Sequence, residues 1–300
     1  MEIASPSTAG QRTLPTMIAV TGASGGIGGR VARALAAEGI PLRLVVRDAA
    51  RAPGLDAQVA VAEYRDGAAM RAAFEGADTV FLVSAAESAD RRAEHLSAVD
   101  AAAAARARHI VYLSFMGAAP DSVFTLARDH WATEERIRST GAAHTFLRSC
   151  MYAEYVPVFS SPEGVIRGPA GDGRAAFASR DDIADVAAAV LVDPPPHAGR
   201  TYDTTGPEAL SLDEAAAVLS EAIGREVVYE PETIEQAWAS RRPSGAPDWE
   251  IEGWVTSYSA IADGVLEAVS DTVERVAGHA PRSLAEVLRE HPESTAHLQR

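Results

Sequence analysis

Short apolar runs alternate with longer, alanine-rich amphipathic stretches along the first half of the chain. The apolar runs predict buried strands at residues 17–20, 41–46, 58–62, 79–83, 109–115 and 144–149. The amphipathic stretches predict helices at residues 27–38, 70–75, 89–107 and 129–140. Because helices separate the strands, the strands are expected to be parallel, in a sheet that is covered by helices on both faces.

The pattern changes after residue 150. Proline and glycine crowd between residues 157 and 173, which predicts a region of loops and a hairpin. A helix at 180–192 and a strand at 200–204 are then expected to return the chain to the sheet, and helices with one short strand at 227–229 follow. Open α/β sheets bind ligands beyond the carboxyl ends of their strands, so we predict that this later part forms a smaller C-terminal substrate cap.

Charge and composition narrow the range of partners. The chain of 300 residues has a formal net charge of -15, which opposes binding to nucleic acid or to anionic membrane surfaces. Its apolar stretches are shorter than the roughly 18 residues of a membrane span. The single cysteine, Cys150, favours a reducing compartment, so we expect a cytoplasmic protein. The C-terminal histidines lack metal-ligand spacing, and no metal is expected.

A glycine-rich segment, T-G-A-S-G-G-I-G, follows the first predicted strand and opens the first predicted helix. Gly22 permits a tight turn, Gly25 lets the backbone approach a pyrophosphate, and Gly28 lets the helix lie close to the sheet. The helix N-terminus then offers N–H groups to the phosphates. This context predicts a dinucleotide-binding Rossmann fold, an α/β protein with a doubly wound parallel sheet. The predicted cofactor contacts in the segment are Thr21, Gly22, Ser24, Gly25, Gly26, Ile27 and Gly28.

The same segment matches the nucleophile elbow of α/β-hydrolases, G-x-S-x-G, through Gly22, Ser24 and Gly26. An elbow of this kind lies in mid-sheet, after strands that supply the oxyanion loop. Ser24 follows the first predicted strand, so no predicted strand before it can supply that loop. The position of the motif therefore argues against a hydrolase.

The second predicted strand ends in V-R-D at residues 46–48. In dinucleotide-binding folds an acidic residue at this strand end binds the ribose 2′-hydroxyl of NAD, whereas an arginine accommodates the 2′-phosphate of NADP. Arg47 comes first and Arg51 follows one turn later, which favours NADP(H) as the cofactor. In the alternative interpretation, Arg47 is a solvated surface charge and Asp48 binds the hydroxyl of NAD.

The glycine-rich segment is one of a series of short motifs that runs through most of the chain. They are V-T-G-A-S-G at 20–25, V-R-D at 46–48, F-T-L-A-R-D-H at 124–130, T-E-E at 133–135, T-F-L-R at 145–148, G-D-G at 171–173, S-R-D-D at 179–182 and S-D-T-V-E at 270–274. This order resembles the NmrA-like atypical short-chain dehydrogenases, and among them the NADPH-dependent quinone oxidoreductase branch. The resemblance implies that residues at the ends of the fourth, fifth and sixth strands flank the cofactor. These residues are Ser84, Ser114, Phe115 and Arg148.

One stretch departs from the pattern of that branch. The quinone oxidoreductases have R-N-G-W-Y-x-E-N after the sixth strand, where this chain has R-S-C-M-Y-A-E-Y at 148–155. The replaced residues lie beside the expected substrate pocket. The resemblance therefore leaves the acceptor open among quinones, enones and related carbonyl compounds.

The chain has no lysine, so the Tyr-x-x-x-Lys dyad of ordinary short-chain dehydrogenases is absent and all 27 residues in its Lys+Arg count are arginine. Either the acceptor needs little acid assistance, as a quinone does, or another side chain donates a hydrogen bond. His130 and Tyr152 are the candidate catalytic donors, because both follow strands near their carboxyl ends. Alternatively, His130 contacts only its own helix turn or solvent, and Tyr152 is a pocket wall whose hydroxyl bonds the backbone.

We therefore expect an NADPH-dependent oxidoreductase that transfers a hydride to a small carbonyl or quinone-like substrate. Two alternatives stay open, a non-catalytic NADP(H)-sensing regulator of the NmrA type and a related enzyme recruited to a biosynthetic pathway. The expected organisation is a flexible tail at 1–15, an NADP(H)-binding Rossmann domain at 16–157 and a substrate-binding region at 158–300. We expect a monomer or a homodimer, with no nucleic-acid or membrane partner.

Overall fold

The apolar runs of the sequence lie side by side in one parallel sheet. A computed structural model describes residues 17–298, and the predicted tail at 1–15 lies outside that range. The strands are β1 (Ile18–Thr21), β2 (Leu42–Val46), β3 (Gln58–Val61), β4 (Thr79–Val83), β5 (His109–Phe115), β6 (Ala143–Ser149), β7 (Val165–Gly168), β8 (Arg174–Ala175), β9 (Arg200–Thr204), β10 (Leu210–Ser211) and β11 (Val228–Pro231). The central sheet has the order β3-β2-β1-β4-β5-β6-β9, and every neighbouring pair is parallel. This confirms the predicted doubly wound sheet, and the strand expected at 200–204 is its edge strand.

Helices cover both faces of this sheet. The helices that flank it are α1 (Gly26–Ala37), α2 (Gly67–Phe74), α3 (Arg91–Ala104), α4 (Thr125–Ser139) and α5 (Arg180–Val192). The later helices are α6 (Leu212–Ile223), α7 (Ile234–Arg241), α8 (Asp248–Ala262) and α9 (Leu284–Glu290). The apolar sides of α1 and α5 pack into the core on one face, where Val31 and Ile183 are fully buried. The sides of α2, α3 and α4 form a separate core on the other face, around Phe74 and Ile137. Burial of two such apolar layers supplies the main favourable contribution to folding.

The strand order reverses at β1, with β2 on one side and β4 on the other. In open parallel sheets a crevice forms at this point, beyond the carboxyl ends of the strands. The loops that follow β1, β2 and β4 therefore meet at one edge. This edge is where the glycine-rich segment and the end of β2 were expected to form a binding site.

The C-terminal part adds two small sheets and four helices. β11 pairs with β7 in parallel, and β10 pairs with β8 in antiparallel orientation. Helix α8 lies against the start of α4, where Thr256 Oγ1 accepts a hydrogen bond from the backbone N–H of Thr125 at 3.3 Å. The prediction that this helix begins at residue 129 is wrong, since α4 begins at Thr125. The contact with Thr256 helps to explain the error. A helix start that a distant side chain caps has no local sequence signature.

Within 17–298, no helix combines the length and the apolar content needed to cross a bilayer.

Candidate active site

The turn between β1 and α1 is built by its glycines. Gly22 has a φ of +59°, in the left-handed region that favours glycine. The backbone N–H of Gly25 donates to the carbonyl oxygen of Gly22 at 2.8 Å, which closes the turn. A Cβ atom on Gly28 would lie 2.4 Å from that same oxygen, so any side chain there would push α1 away from β1. The turn therefore presents the N-terminus of α1 at the carboxyl edge of the sheet.

A cleft of about 470 Å³ opens along this edge. Its volume falls within the roughly 300–1,000 Å³ of small-molecule sites. The cleft extends from the ends of β2 and β3, across the glycine turn, to the loop that follows β4. Most of the residues predicted to bind the cofactor line it, namely Gly22, Ser24, Gly25, Gly26, Ile27, Gly28, Arg47 and Ser84.

One end of the cleft is cationic. Arg47 and Arg51 line it, both are exposed, and neither guanidinium has a hydrogen-bond or ion-pair partner among residues 17–298. Asp48 is engaged elsewhere, because its Oδ1 accepts from the backbone N–H of Ala50 at 2.9 Å and caps a short 3-10 helix. This arrangement fits a 2′-phosphate better than a free ribose hydroxyl, since two unpaired guanidinium groups can bind the phosphate oxygens.

Two residues expected beside the cofactor belong instead to a buried cluster around Glu134. The Ser114 hydroxyl donates to Glu134 Oε1 at 2.6 Å. The Arg148 guanidinium donates to both carboxylate oxygens, at 2.8 and 2.7 Å, and this pairing raises the pKa of Arg148. Neither Ser114 nor Arg148 lines the cleft. Their contact with the cofactor stays a prediction, and their visible role is to fasten α4 to β5 and β6.

Thr21 and Phe115 also lie away from the cleft surface. Thr21 Oγ1 accepts from the backbone N–H of Val83 at 2.8 Å and so ties β1 to β4 beneath the cleft. The ring of Phe115 packs edge-on against that of Phe124, with centroids 5.1 Å apart. Direct contact of these two residues with a cofactor stays a prediction as well.

His130, one candidate donor, is buried in the second turn of α4. Arg91 Nη2 donates to its Nε2 at 3.0 Å, and its Nδ1 lies 2.9 Å from the Tyr112 hydroxyl. Burial, followed by the charge of Arg91, lowers the pKa of His130 well below its ordinary value, so the ring is neutral. Both ring nitrogens are engaged within the protein. A catalytic role for His130 therefore stays a prediction that this geometry does not favour.

The network around His130 anchors a wall of the cleft. The backbone N–H of Ala85 donates to His95 Nε2 at 2.8 Å, and Arg91 Nε donates to the carbonyl of Ala85 at 3.1 Å. Because His95 Nε2 accepts, the proton of this ring is on Nδ1, which faces Thr133 Oγ1 at 3.0 Å. Ala85 belongs to the loop after β4 that lines the cleft. The buried network therefore holds that loop at both of the backbone polar groups of one residue, Ala85.

Tyr152, the other candidate donor, lies just beyond the end of β6 and is half-buried. The backbone around it is fixed by Ala178, whose N–H donates to Met151 at 2.8 Å and whose carbonyl accepts from Ala153 at 2.9 Å. Burial raises the pKa of Tyr152 to about 12. The phenol therefore stays protonated near neutral pH, so it can donate a hydrogen bond but cannot act as a base.

Several residues that line the cleft were not among the predicted contacts. Tyr64 and Arg65 follow the end of β3, and Glu87 and Glu94 come from the loop after β4 and from α3. β3 is an edge strand with mostly exposed side chains, so its carboxyl end is weakly marked in the sequence. The signal that could have found Tyr64 is its position directly after a strand of a parallel sheet, where ligand-binding loops lie.

The parallel sheet, the glycine turn and the cleft with its cationic end define a Rossmann-type dinucleotide-binding protein. The model of the NmrA-like family matches residues 15–241, and the chain belongs to this family. It is 33% identical over 281 residues to the NAD(P)H azoreductase of Xenophilus azovorans, covering 92% of this chain and 98% of that protein. It is 34% identical over 280 residues to quinone oxidoreductase 2 of Escherichia coli strain K12, covering 90% and 96%. The structure of the Escherichia coli NADPH-dependent quinone oxidoreductase in complex with NADPH superposes with a TM-score of 0.82 at 31% identity, covering 91% of this chain and 99% of that one. The predicted family resemblance is thus confirmed.

Proposed function

We propose that this protein is an NADPH-dependent oxidoreductase that transfers a hydride to a quinone, an enone or a related conjugated carbonyl compound. The observation that carries the proposal is the cleft at the carboxyl edge of the sheet. It has the glycine turn at its centre and the unpaired Arg47 and Arg51 at one end. The activities named for the two relatives, azoreductase and quinone oxidoreductase, support the same class of reaction.

The glycine turn and the two arginines divide the task of binding the cofactor. Backbone N–H groups at the N-terminus of α1 bind the pyrophosphate, and Arg47 and Arg51 bind the 2′-phosphate. The anchored loop after β4 forms the opposite wall. Bound NADPH supplies a hydride, and with one proton from solvent a quinone becomes a hydroquinone while NADP⁺ is formed.

Tyr152 assists at the oxygen of the acceptor. Without a lysine in the chain, no neighbouring ammonium group lowers the pKa of a tyrosine. With its raised pKa, Tyr152 donates a hydrogen bond to the oxygen on which negative charge develops. A quinone suits this limited assistance, because its reduced oxygen is a stabilised phenolate that needs no strong acid.

The experiment is to follow NADPH oxidation, by the nicotinamide absorbance, with a panel of quinones and enones. Tyr152→Phe is expected to lower turnover about ten- to a thousandfold while NADPH affinity stays nearly unchanged, because the hydrogen bond strengthens as charge develops. Tyr202→Phe is the matched control. Tyr202 lies on the edge strand β9, where its hydroxyl contacts His197 Nδ1 at 2.8 Å, so turnover should be unaffected.

The outcomes separate the alternatives. NADPH binding without reduction of any acceptor would contradict the proposal and favour an NADP(H)-sensing regulator. Turnover that survives Tyr152→Phe unchanged would keep the reductase but reject Tyr152 as the donor. His130→Gln then tests the remaining candidate, and we expect it to lower stability more than turnover.

A further inference from the structure

Arg180, the first residue of α5, has a guanidinium group with unused donors. Its terminal nitrogens make no hydrogen bond with any residue in 17–298. In two other arginines, by contrast, terminal nitrogens have acceptors within the protein. Nη2 of the half-buried Arg148 donates to Glu134, and both terminal nitrogens of the buried Arg91 donate to a carbonyl or an imidazole. The Arg180 side chain is only partly exposed, and the free donors at its outer end can bind an anionic ligand.

The near end of the Arg180 side chain is held by a fully buried carboxylate. Glu154 Oε1 accepts from the backbone N–H of Arg180 at 2.9 Å, and Glu154 Oε2 lies 3.5 Å from Arg180 Nε. Ser179 caps the helix at the same point through its hydroxyl. These contacts fix where the side chain leaves the helix but leave its outer nitrogens available. The guanidinium is therefore preorganised for an incoming group.

The surroundings of the guanidinium lead from the glycine turn to Tyr152. Arg180 Nη1 lies 3.2 Å from the position that a Cβ atom on Gly26 would occupy. Its guanidinium carbon lies 5.7 Å from the centroid of the Tyr155 ring, which is 47% exposed. That ring stacks on Tyr152 with centroids 5.6 Å apart and an interplanar angle of 25°. Gly26 lines the cofactor cleft and Arg180 does not, so the guanidinium lies beside the cleft rather than within it.

We propose that Arg180 and Tyr155 form a subsite for an acidic aromatic acceptor, one that carries a carboxylate, sulfonate or phosphate group. The guanidinium offers a fork of two N–H donors to such an anion, and the exposed part of the Tyr155 ring, beside its stack on Tyr152, offers an apolar contact to an aromatic system. Tyr152, which stacks on Tyr155, is the donor that the proposed function assigns to the reacting oxygen. This subsite rests on the proposed function, since it selects among acceptors of that reaction. The pyrophosphate of the cofactor is the other possible anion, and the experiment distinguishes the two.

The test compares a naphthoquinone with the same naphthoquinone carrying a sulfonate. In Arg180→Gln, KM for the sulfonated acceptor is expected to rise roughly tenfold to a hundredfold, as for loss of a charge-assisted bidentate bond, and KM for the neutral one to stay the same. A second readout needs no turnover, namely calorimetric binding of naphthalenesulfonate to the protein loaded with NADP⁺. Arg33→Gln is the control, because Arg33 is exposed on α1 and does not line the cleft.

Loss of the Arg180 side chain also leaves the carboxylate of Glu154 buried and unpaired, so the single variant could fold poorly. The double variant Glu154→Gln/Arg180→Gln removes that charge and should show the same selective loss. Equal KM changes for both acceptors, or unchanged binding of naphthalenesulfonate, would overturn the subsite. Weaker NADPH binding in Arg180→Gln would overturn it too, by assigning the guanidinium to the pyrophosphate. Binding of naphthalenesulfonate without any quinone turnover would instead reject the proposed function and keep the anion site.

Discussion

Two pairs of arginines at the carboxyl edge of the sheet differ in what their guanidinium groups contact. Arg47 and Arg51 are exposed, line the cleft and have no partner within residues 17–298. Arg91 is buried, and Arg148 is half-buried against the fully buried Glu134. Both of the latter are paired within the protein, Arg91 with His130 and two carbonyls and Arg148 with Glu134.

The difference shows how one residue type serves two purposes. A guanidinium in water keeps its hydration until a ligand arrives, so it can remain unpaired at little cost. A guanidinium removed from water must find acceptors within the protein, because burial of an unpaired charge is strongly unfavourable. The cleft arginines are therefore expected to control ligand affinity, and the buried arginines to control stability. Arg180 lies between these cases, with one end buried and paired and the other free.

The largest effect is expected at the glycine turn. We propose that this turn binds the pyrophosphate of the same cofactor whose 2′-phosphate the cleft arginines bind. Gly25→Val should abolish NADPH binding while the protein stays folded, because the side chain would occupy the space of the pyrophosphate. A Cβ atom at this position would already lie 3.1 Å from the carbonyl oxygen of Gly22. Calorimetric titration is the measurement, and Gly54→Val is the control, since a Cβ atom there meets nothing within 4 Å. Unchanged NADPH affinity in folded Gly25→Val would show that the turn is only structural.

The next effect tests the buried member of the comparison. Arg91→Met should lower the free energy of unfolding by about 3–5 kcal/mol, because it leaves Asp129 and the carbonyl of Ala85 without their partner. The neighbouring Arg92 is exposed on the same helix, so Arg92→Met should change stability by less than about 0.5 kcal/mol. Urea unfolding measures both. Similar losses in the two variants would remove the distinction between buried and exposed arginines.

Arg47→Ala tests the exposed member. It should weaken NADPH binding by about 1.5–3 kcal/mol, because a charge-assisted bond to the 2′-phosphate is lost, with little change for NADH. Stability should be unchanged. Arg33→Ala serves as the control for a lost surface charge, and the dissociation constants of both cofactors are measured. Equal affinity of the unmodified protein for NADPH and NADH would contradict the assignment of Arg47.

The smallest effect concerns pH and sharpens the contrast within the buried network. Burial and the charge of Arg91 hold the pKa of His130 and of His95 well below 6.5. As pH falls below that value, the unfolded chain binds protons that the folded protein does not, so stability is lost toward acid. Each such histidine contributes up to about 1.4 kcal/mol per pH unit. His130→Gln should therefore lose stability less steeply than the unmodified protein as pH falls. Parallel pH profiles of the unfolding free energy would refute a neutral buried His130.

The sequence predicted the glycine turn and the end of β2 better than it predicted the surroundings of His130. Gly22, Gly28 and Arg47 lie where their motif placed them, because the turn, the helix start and the strand end are local features. The surroundings of His130 were not predicted. The sequence suggested a histidine at the start of a helix, whereas α4 begins at Thr125 and carries His130 inward against Arg91 and Tyr112.

The sequence alone determined the parallel α/β sheet, the family and the position of the cofactor turn. Periodicity, glycine spacing and the residue at a strand end act over a few neighbouring positions, so they can be interpreted before the chain is folded. Only the tertiary structure decided which arginines are free. The pairing of Arg148 with Glu134, and the approach of Arg180 to Gly26, join residues from different elements of the chain. Whether a charge binds a ligand or supports the fold depends on the acceptors that folding brings within hydrogen-bond distance, and no local pattern encodes those distances.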